Sequence, residues 1–131
     1  MRKTILIMLL TVVSNSVKAE WDAVGIAENN STTGYADPAT IRKNGDLVKM
    51  WGLDDYKTAQ VSSDGKAYLS SMVQEQYDCK EEQRRILAIS YHSGNMGRGD
   101  VVFSGSDLGK WEPVAPRSKG EVFWKFACGK Q

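Results

Sequence analysis

Apolar and polar positions alternate along most of this chain, and helical spacing takes over only near its end. A first strand is predicted from Trp21 to Ala27, turned by Glu28-Asn29-Asn30-Ser31, and a second short strand from Thr33 to Ala36 stops at Asp37-Pro38. Asn44-Gly45 is a strong hairpin signal, because both residues tolerate positive φ and apolar segments flank them. From Leu47 to Tyr56, Leu47, Trp51 and Leu53 share one parity and Val48, Met50 and Tyr56 the other, which predicts a strand with cover on both faces. The polar stretch Thr58 to Lys66 reads as an exposed loop. Strands follow from Tyr68 to Cys79, through Arg85, Leu87, Ile89 and Tyr91, and, beyond the glycine-rich turn Gly94 to Gly99, from Val101 to Phe103. The period then changes. Ser118 and Glu121 have capping-box spacing, and Val122, Phe123, Phe126 and Ala127 recur as a helix face requires. The fold class expected is α+β: one domain, an antiparallel β-sheet meander with a C-terminal α-helix.

The N-terminus carries a different pattern. Arg2 and Lys3 precede an apolar run from Ile5 to Val13, and Val17-Lys18-Ala19 ends a short polar stretch, as in a secretory signal peptide. The run is far short of the ~20 residues that span a bilayer, so residues 1–19 are expected to be removed, leaving 20–131 as the mature domain. No later apolar stretch reaches spanning length, so no membrane span is expected. That changes the charge: 17 basic against 16 acidic residues lose Arg2, Lys3 and Lys18, and the formal +1 becomes about −2. Neither value offers the basic excess that nucleic-acid binding needs. In an oxidising compartment the two cysteines, Cys79 and Cys128, allow one pairing, which would tether the helix to a sheet face. The competing reading, a metal-binding or nucleophilic thiol, lacks a CxxC spacing and a nearby second ligand.

Catalysis finds little support. His92 is the only histidine and stands at a strand end, and Asp54 and Asp55 are adjacent on a strand and so point to opposite faces. They are expected to end their strand at the surface. Glu81, Glu82, Arg84 and Arg85 mix signs as a solvated connection does, with an ion pair from Arg84 or Arg85 to Asp78 as the alternative. The glycines from Gly94 to Gly99 are not followed by a helix, so they suit a hairpin better than a phosphate cradle. No catalytic residue, cofactor or metal site is expected. Two features remain as binding or interface residues. Arg98-Gly99-Asp100 spells an integrin-recognised tripeptide, although three-residue matches arise easily by chance, and Gly99 is explained by the turn. Trp21, Trp51 and Trp111 read as core or sheet cover, whereas Trp124 either widens the buried face of the helix or contacts a second copy of the chain. The alternative cover for Trp124 is the segment 107–116, which would place Trp111 against it.

Tyr35-Ala36-Asp37, Gly45-Asp46, Met50-Trp51, Tyr77-Asp78-Cys79-Lys80, Arg84 or Arg85, Tyr91, Met96-Gly97-x-Gly99, Trp111-x-Pro113-Val114 and Cys128 occur in an order that resembles the surface-adhesin protein E family of Gram-negative bacteria. The resemblance implies an antiparallel sheet with a disulfide-held C-terminal helix. It also implies a non-enzymatic, exported module that binds host matrix or plasma proteins and can form a homodimer. No Cys precedes position 79, so no lipid anchor is expected, which motivates the alternative of a soluble periplasmic structural or stress-related protein without host contact.

Overall fold

The computed structural model describes residues 20–26, 30–106 and 109–130. The expected signal peptide, the last residue of the first predicted strand and residues 28 and 29 of the turn after it lie outside them. The chain forms β1 (Asp22–Ile26), β2 (Thr32–Asn44), β3 (Leu47–Val61), β4 (Ala67–Asp78), β5 (Gln83–His92), β6 (Val101–Ser106), the two-residue β7 (Glu112–Pro113) and helix α1 (Lys119–Cys128). Strands β1 to β6 lie side by side in chain order, each antiparallel to the next, and β7 pairs with the start of β5. This is the expected meander with its C-terminal helix.

Three expectations change. β2 does not stop at Asp37-Pro38 but runs on to Asn44, because the ladder to β3 is interrupted between Asp37 and Arg42 and then resumes. Within the interruption Asp37 Oδ1 accepts the Ala39 N–H, and Thr40 Oγ1 donates to the Asp37 carbonyl while accepting the Trp51 N–H at 3.0 Å. A threonine hydroxyl thus replaces the missing backbone acceptor, and a bulge absorbs the proline. β3 likewise continues through Tyr56 to Val61 across a second irregularity, so Asp54 and Asp55 lie inside a strand and the loop shrinks to residues 62–66. That loop closes on Ser62, whose hydroxyl bonds Asp64 Oδ1 and whose backbone N–H donates to the Lys66 carbonyl at 2.8 Å. β7 is the third change; two residues carry no readable alternation.

The helix forms where its cap places it. Ser118 Oγ accepts the Glu121 N–H at 3.1 Å, and Glu121 reaches back to the Arg117 N–H, one residue before the cap. Phe123, Trp124 and Ala127 are buried from the helix side, against Ala36, Val48, Met50 and Tyr77 from the sheet. Two glycines admit the helix: a Cβ on Gly34 would approach the Phe123 ring to 3.1 Å and one on Gly52 to 3.0 Å. Phe123 therefore sinks into a side-chain-free hollow shared by β2 and β3. Trp124 donates its Nε1–H to the Asp78 carbonyl at 2.9 Å, and the Cys79–Cys128 disulfide closes the same corner. The opposite face is covered only in part: the turn Asn95–Gly97 packs over Leu53 and Met72, and Trp51 stays half-exposed. The two-sided cover read from the strand pattern is thus confined to one end of the sheet.

Candidate functional site

The helix reaches across β1 to β4 and stops short of the far strands on its own face of the sheet. Beyond its first turn a recess of about 220 Å³ opens between α1 and β3, β4 and β5. Its floor is apolar, with Val73, Ile86 and Ile89, and its rim is charged. Asp54 meets Lys119 of the helix at 2.7 Å, and Glu75 meets Arg84 at the same distance. Arg84 also supports the helix start, since a Cβ on Gly120 would come within 2.7 Å of its Nε. The ion pair considered between Asp78 and Arg84 or Arg85 does not form. Glu75 takes Arg84, while Asp78 Oδ1 accepts the N–H groups of Lys80 and Glu81 at 3.0 and 2.9 Å. Burial raises the Glu75 carboxyl above its ordinary range, against the opposing pull of Arg84. Asp54 Oδ1 is buried with no hydrogen-bond partner among the described residues.

Aromatic rings continue the recess along the sheet. Tyr68 stacks on Tyr91 with centroids 4.1 Å apart, Tyr56 meets Tyr68 edge-on at 5.8 Å, and Phe103 leans on Tyr91 at 5.0 Å. One ring comes from each of four successive strands, so the stack runs across the sheet and ends at the exposed Phe103. Burial raises the phenols of Tyr56 and Tyr68 above their usual range, and that of Tyr77, deeper under the helix, well above it. The recess thus offers balanced charge and apolar walls. The recess draws on four segments, β3, β4, β5 and α1, and the stack adds β6; no local motif links them.

The residues singled out from sequence fall elsewhere. Asp55 points away from Asp54, to the other face, where Oδ1 accepts the Met96 N–H at 2.7 Å. With Ser70, which accepts the Gly97 N–H and donates to the Gly94 carbonyl, it pins the glycine-rich turn to the sheet. Arg98 and Asp100 are exposed on the return arm of that turn, their backbone fixed by Gly94 N–H to Arg98 O and Ser93 N–H to Asp100 O, both 2.9 Å. Gly99 has φ +80°, and a Cβ there would strike Ser93 Oγ, so its place in the tripeptide is a backbone requirement. Trp124 is 5% exposed and belongs to this chain's own core. Trp111 lies elsewhere, beneath the Arg85 guanidinium at 4.7 Å from the ring centroid.

His92 is buried on the face away from the recess. Its Nε2 lies 2.8 Å from Ser90 Oγ, and its Nδ1 has no partner among the described residues, so the group that orients a catalytic imidazole is missing. Burial lowers its pKa. Among the described residues no three His, Cys, Asp or Glu side chains gather as a metal site requires, and no helix is long and apolar enough to cross a membrane.

Comparison with known proteins yields one family and one fold. The model of the family described as surface-adhesin protein E matches residues 21–129. A crystal structure of protein E from non-typeable Haemophilus influenzae superposes with a TM-score of 0.62 at 12% identity, covering 88% of this chain and 79% of that one. A second crystal form of Haemophilus influenzae protein E gives 0.62 at 12% identity, covering 86% and 90%. At that identity the likeness is one of fold. No curated protein sequence matches the chain.

Proposed function

This chain belongs to the surface-adhesin protein E family, and from that premise we propose that it is an exported, non-enzymatic binding module that meets host matrix or plasma proteins at the cell surface. The family match over residues 21–129 carries the reading. The architecture supports it in a specific way. A helix clamped by Phe123, Trp124 and the disulfide holds one half of a sheet face rigid, while the recess and the tyrosine stack leave the other half open to a partner. Tyrosines held by mutual stacking lose little further freedom on binding, which is why such surfaces make good contacts. Arg98 and Asp100 stand as exposed residues of the same module, on the opposite side of the sheet from the recess.

The test is a binding measurement. Purified protein is passed over immobilised extracellular-matrix and plasma proteins beside Tyr91→Ser, Phe103→Ser and an Arg98→Ala/Asp100→Ala pair. Saturable binding weakened by the stack variants is the expected result. Absence of binding to every host protein, with the protein confined to the osmotic-shock fraction of its producer, would replace the proposal with a periplasmic role.

A further inference from the structure

The face of the sheet that α1 leaves uncovered carries a row of cations. Arg42 of β2 lies directly opposite Lys49 of β3, Lys49 opposite Gln76 of β4, and Gln76 opposite Arg85 of β5. Val48, Met50 and Tyr77, which flank the row, point into the core beneath the helix, so the row itself stands on the other face. Like charges set directly opposite destabilise an antiparallel pair. Nothing here compensates for that: among the described residues Arg42, Lys49, Arg85 and Lys110 take part in no salt bridge. Arg42 instead donates from Nη1 to the carbonyls of Ala39 and Ile41, both at 2.9 Å. Arg85 lies over the Trp111 ring and donates from Nε to Gln76 Oε1 at 2.9 Å. Gly109 packs against the Arg85 side chain, which brings Lys110 to that end of the row, where the two share a recess of about 160 Å³. Of the carboxylates around the row, Asp37 and Asp78 already accept backbone N–H groups, and Glu112, which lines the recess beside Lys110, stands opposite Arg84.

We propose that this row binds a sulfated polysaccharide laid across β2 to β5. The proposal goes beyond the protein-ligand reading and stands without it. Two pairs of cations, Arg42 with Lys49 and Arg85 with Lys110, flank the uncharged Gln76 of β4, so Lys49 and Arg85 are two strand spacings, about 10 Å, apart. Separated pairs fit charges carried at intervals along a glycan better than the dense, regular phosphates of a nucleic acid, which call for a continuous basic surface. Trp51, two residues from Lys49 on the same face and half-exposed, offers a ring for the apolar side of a sugar. Binding here depends on local geometry and not on net charge, because the mature chain is expected to be slightly negative.

The test uses heparin and chemically desulfated heparin as immobilised probes, with the purified protein eluted by rising salt. The protein is expected to be retained by heparin at low salt and not by the desulfated form. An Arg42→Gln/Lys49→Gln pair and Arg85→Gln should elute earlier, with the slope of log Kd on log salt falling by about one per cation removed. Lys57→Gln, on the same strand as Lys49 but about 26 Å along it, should elute with the parent protein. Arg42, Lys49 and Lys57 are exposed and Arg85 is half-buried, and thermal melting checks that each variant is folded. Lack of retention, equal retention on desulfated heparin, an equal loss in Lys57→Gln, or tighter binding to duplex DNA than to heparin would each overturn the proposal. The probes contain no protein, so failure here leaves the protein-ligand reading to its own test.

Discussion

Gly52→Ala tests how the helix is seated. The added methyl would lie 3.0 Å from Phe123 Cε1 and 3.4 Å from the Tyr35 carbonyl oxygen. Phe123 has no room to withdraw, because Trp124 and Ala127 are buried beside it and Cys128 anchors the end of the helix. Overpacking of this kind costs about 1–3 kcal/mol, and the stiffer unfolded chain returns about 0.4–1, so a net loss of about 1–2 kcal/mol is expected. With a urea m-value of about 1.5–2 kcal/mol/M for a domain of this size, the unfolding midpoint should fall by about 0.5–1 M. A double-mutant cycle with Phe123→Leu identifies the cause. The ring atoms that approach Gly34 and Gly52, Cε1, Cε2 and Cζ, are absent from leucine. The second substitution should therefore cost less in the Gly52→Ala background than alone, with a coupling of at least about 0.5 kcal/mol. Additive losses, or a Gly52→Ala protein as stable as its parent, would refute the hollow as the seat of the helix.

Other outcomes follow from the same contacts. Cys79→Ser and Cys128→Ser should each lower stability by about 4 kcal/mol, for a crosslink spanning 49 residues, and the double variant should lose no more than either alone. Trp124→Phe drops the bond to the Asp78 carbonyl and leaves a void where the larger indole stood, so a loss of about 2–4 kcal/mol in chemical denaturation is expected, and an unchanged midpoint would contradict that buried bond. Glu75 holds its proton to higher pH when folded than when unfolded. The folded state therefore binds more protons just above the usual carboxyl range, and stability from this group falls as pH rises through that window. Unfolding titrations of the parent and Glu75→Gln should accordingly shift in favour of the glutamine variant with rising pH across it. Asp55→Ala removes the acceptor of the Met96 N–H, and proteolysis within residues 94–99 should quicken while the melting temperature changes little.

The strands, the helix and its tether were legible because each rests on a local signal: alternation, the Ser118 cap, and two cysteines in an exported chain. The course of β2 was not, since Pro38 reads as a stop and the rescue depends on Thr40 meeting a backbone N–H eleven residues away. The role of Gly34 and Gly52 was not legible either, because the ring they admit, Phe123, lies some seventy to ninety residues on. The charged recess was illegible for a related reason. Asp54, Glu75, Arg84 and Lys119 meet only after the sheet registers are set, and Arg84 chose Glu75 over the sequence-local Asp78. Trp124 was ambiguous on a helical wheel, and a hydrogen bond to the strand end decided its side.

The central claim is that this protein acts at the cell surface as a binding module, and protease accessibility on intact producing cells tests it most directly. Added protease should remove the protein from unbroken cells while leaving a periplasmic marker intact. Persistence of the protein until the outer envelope is permeabilised, with release in the osmotic-shock fraction, would contradict the account.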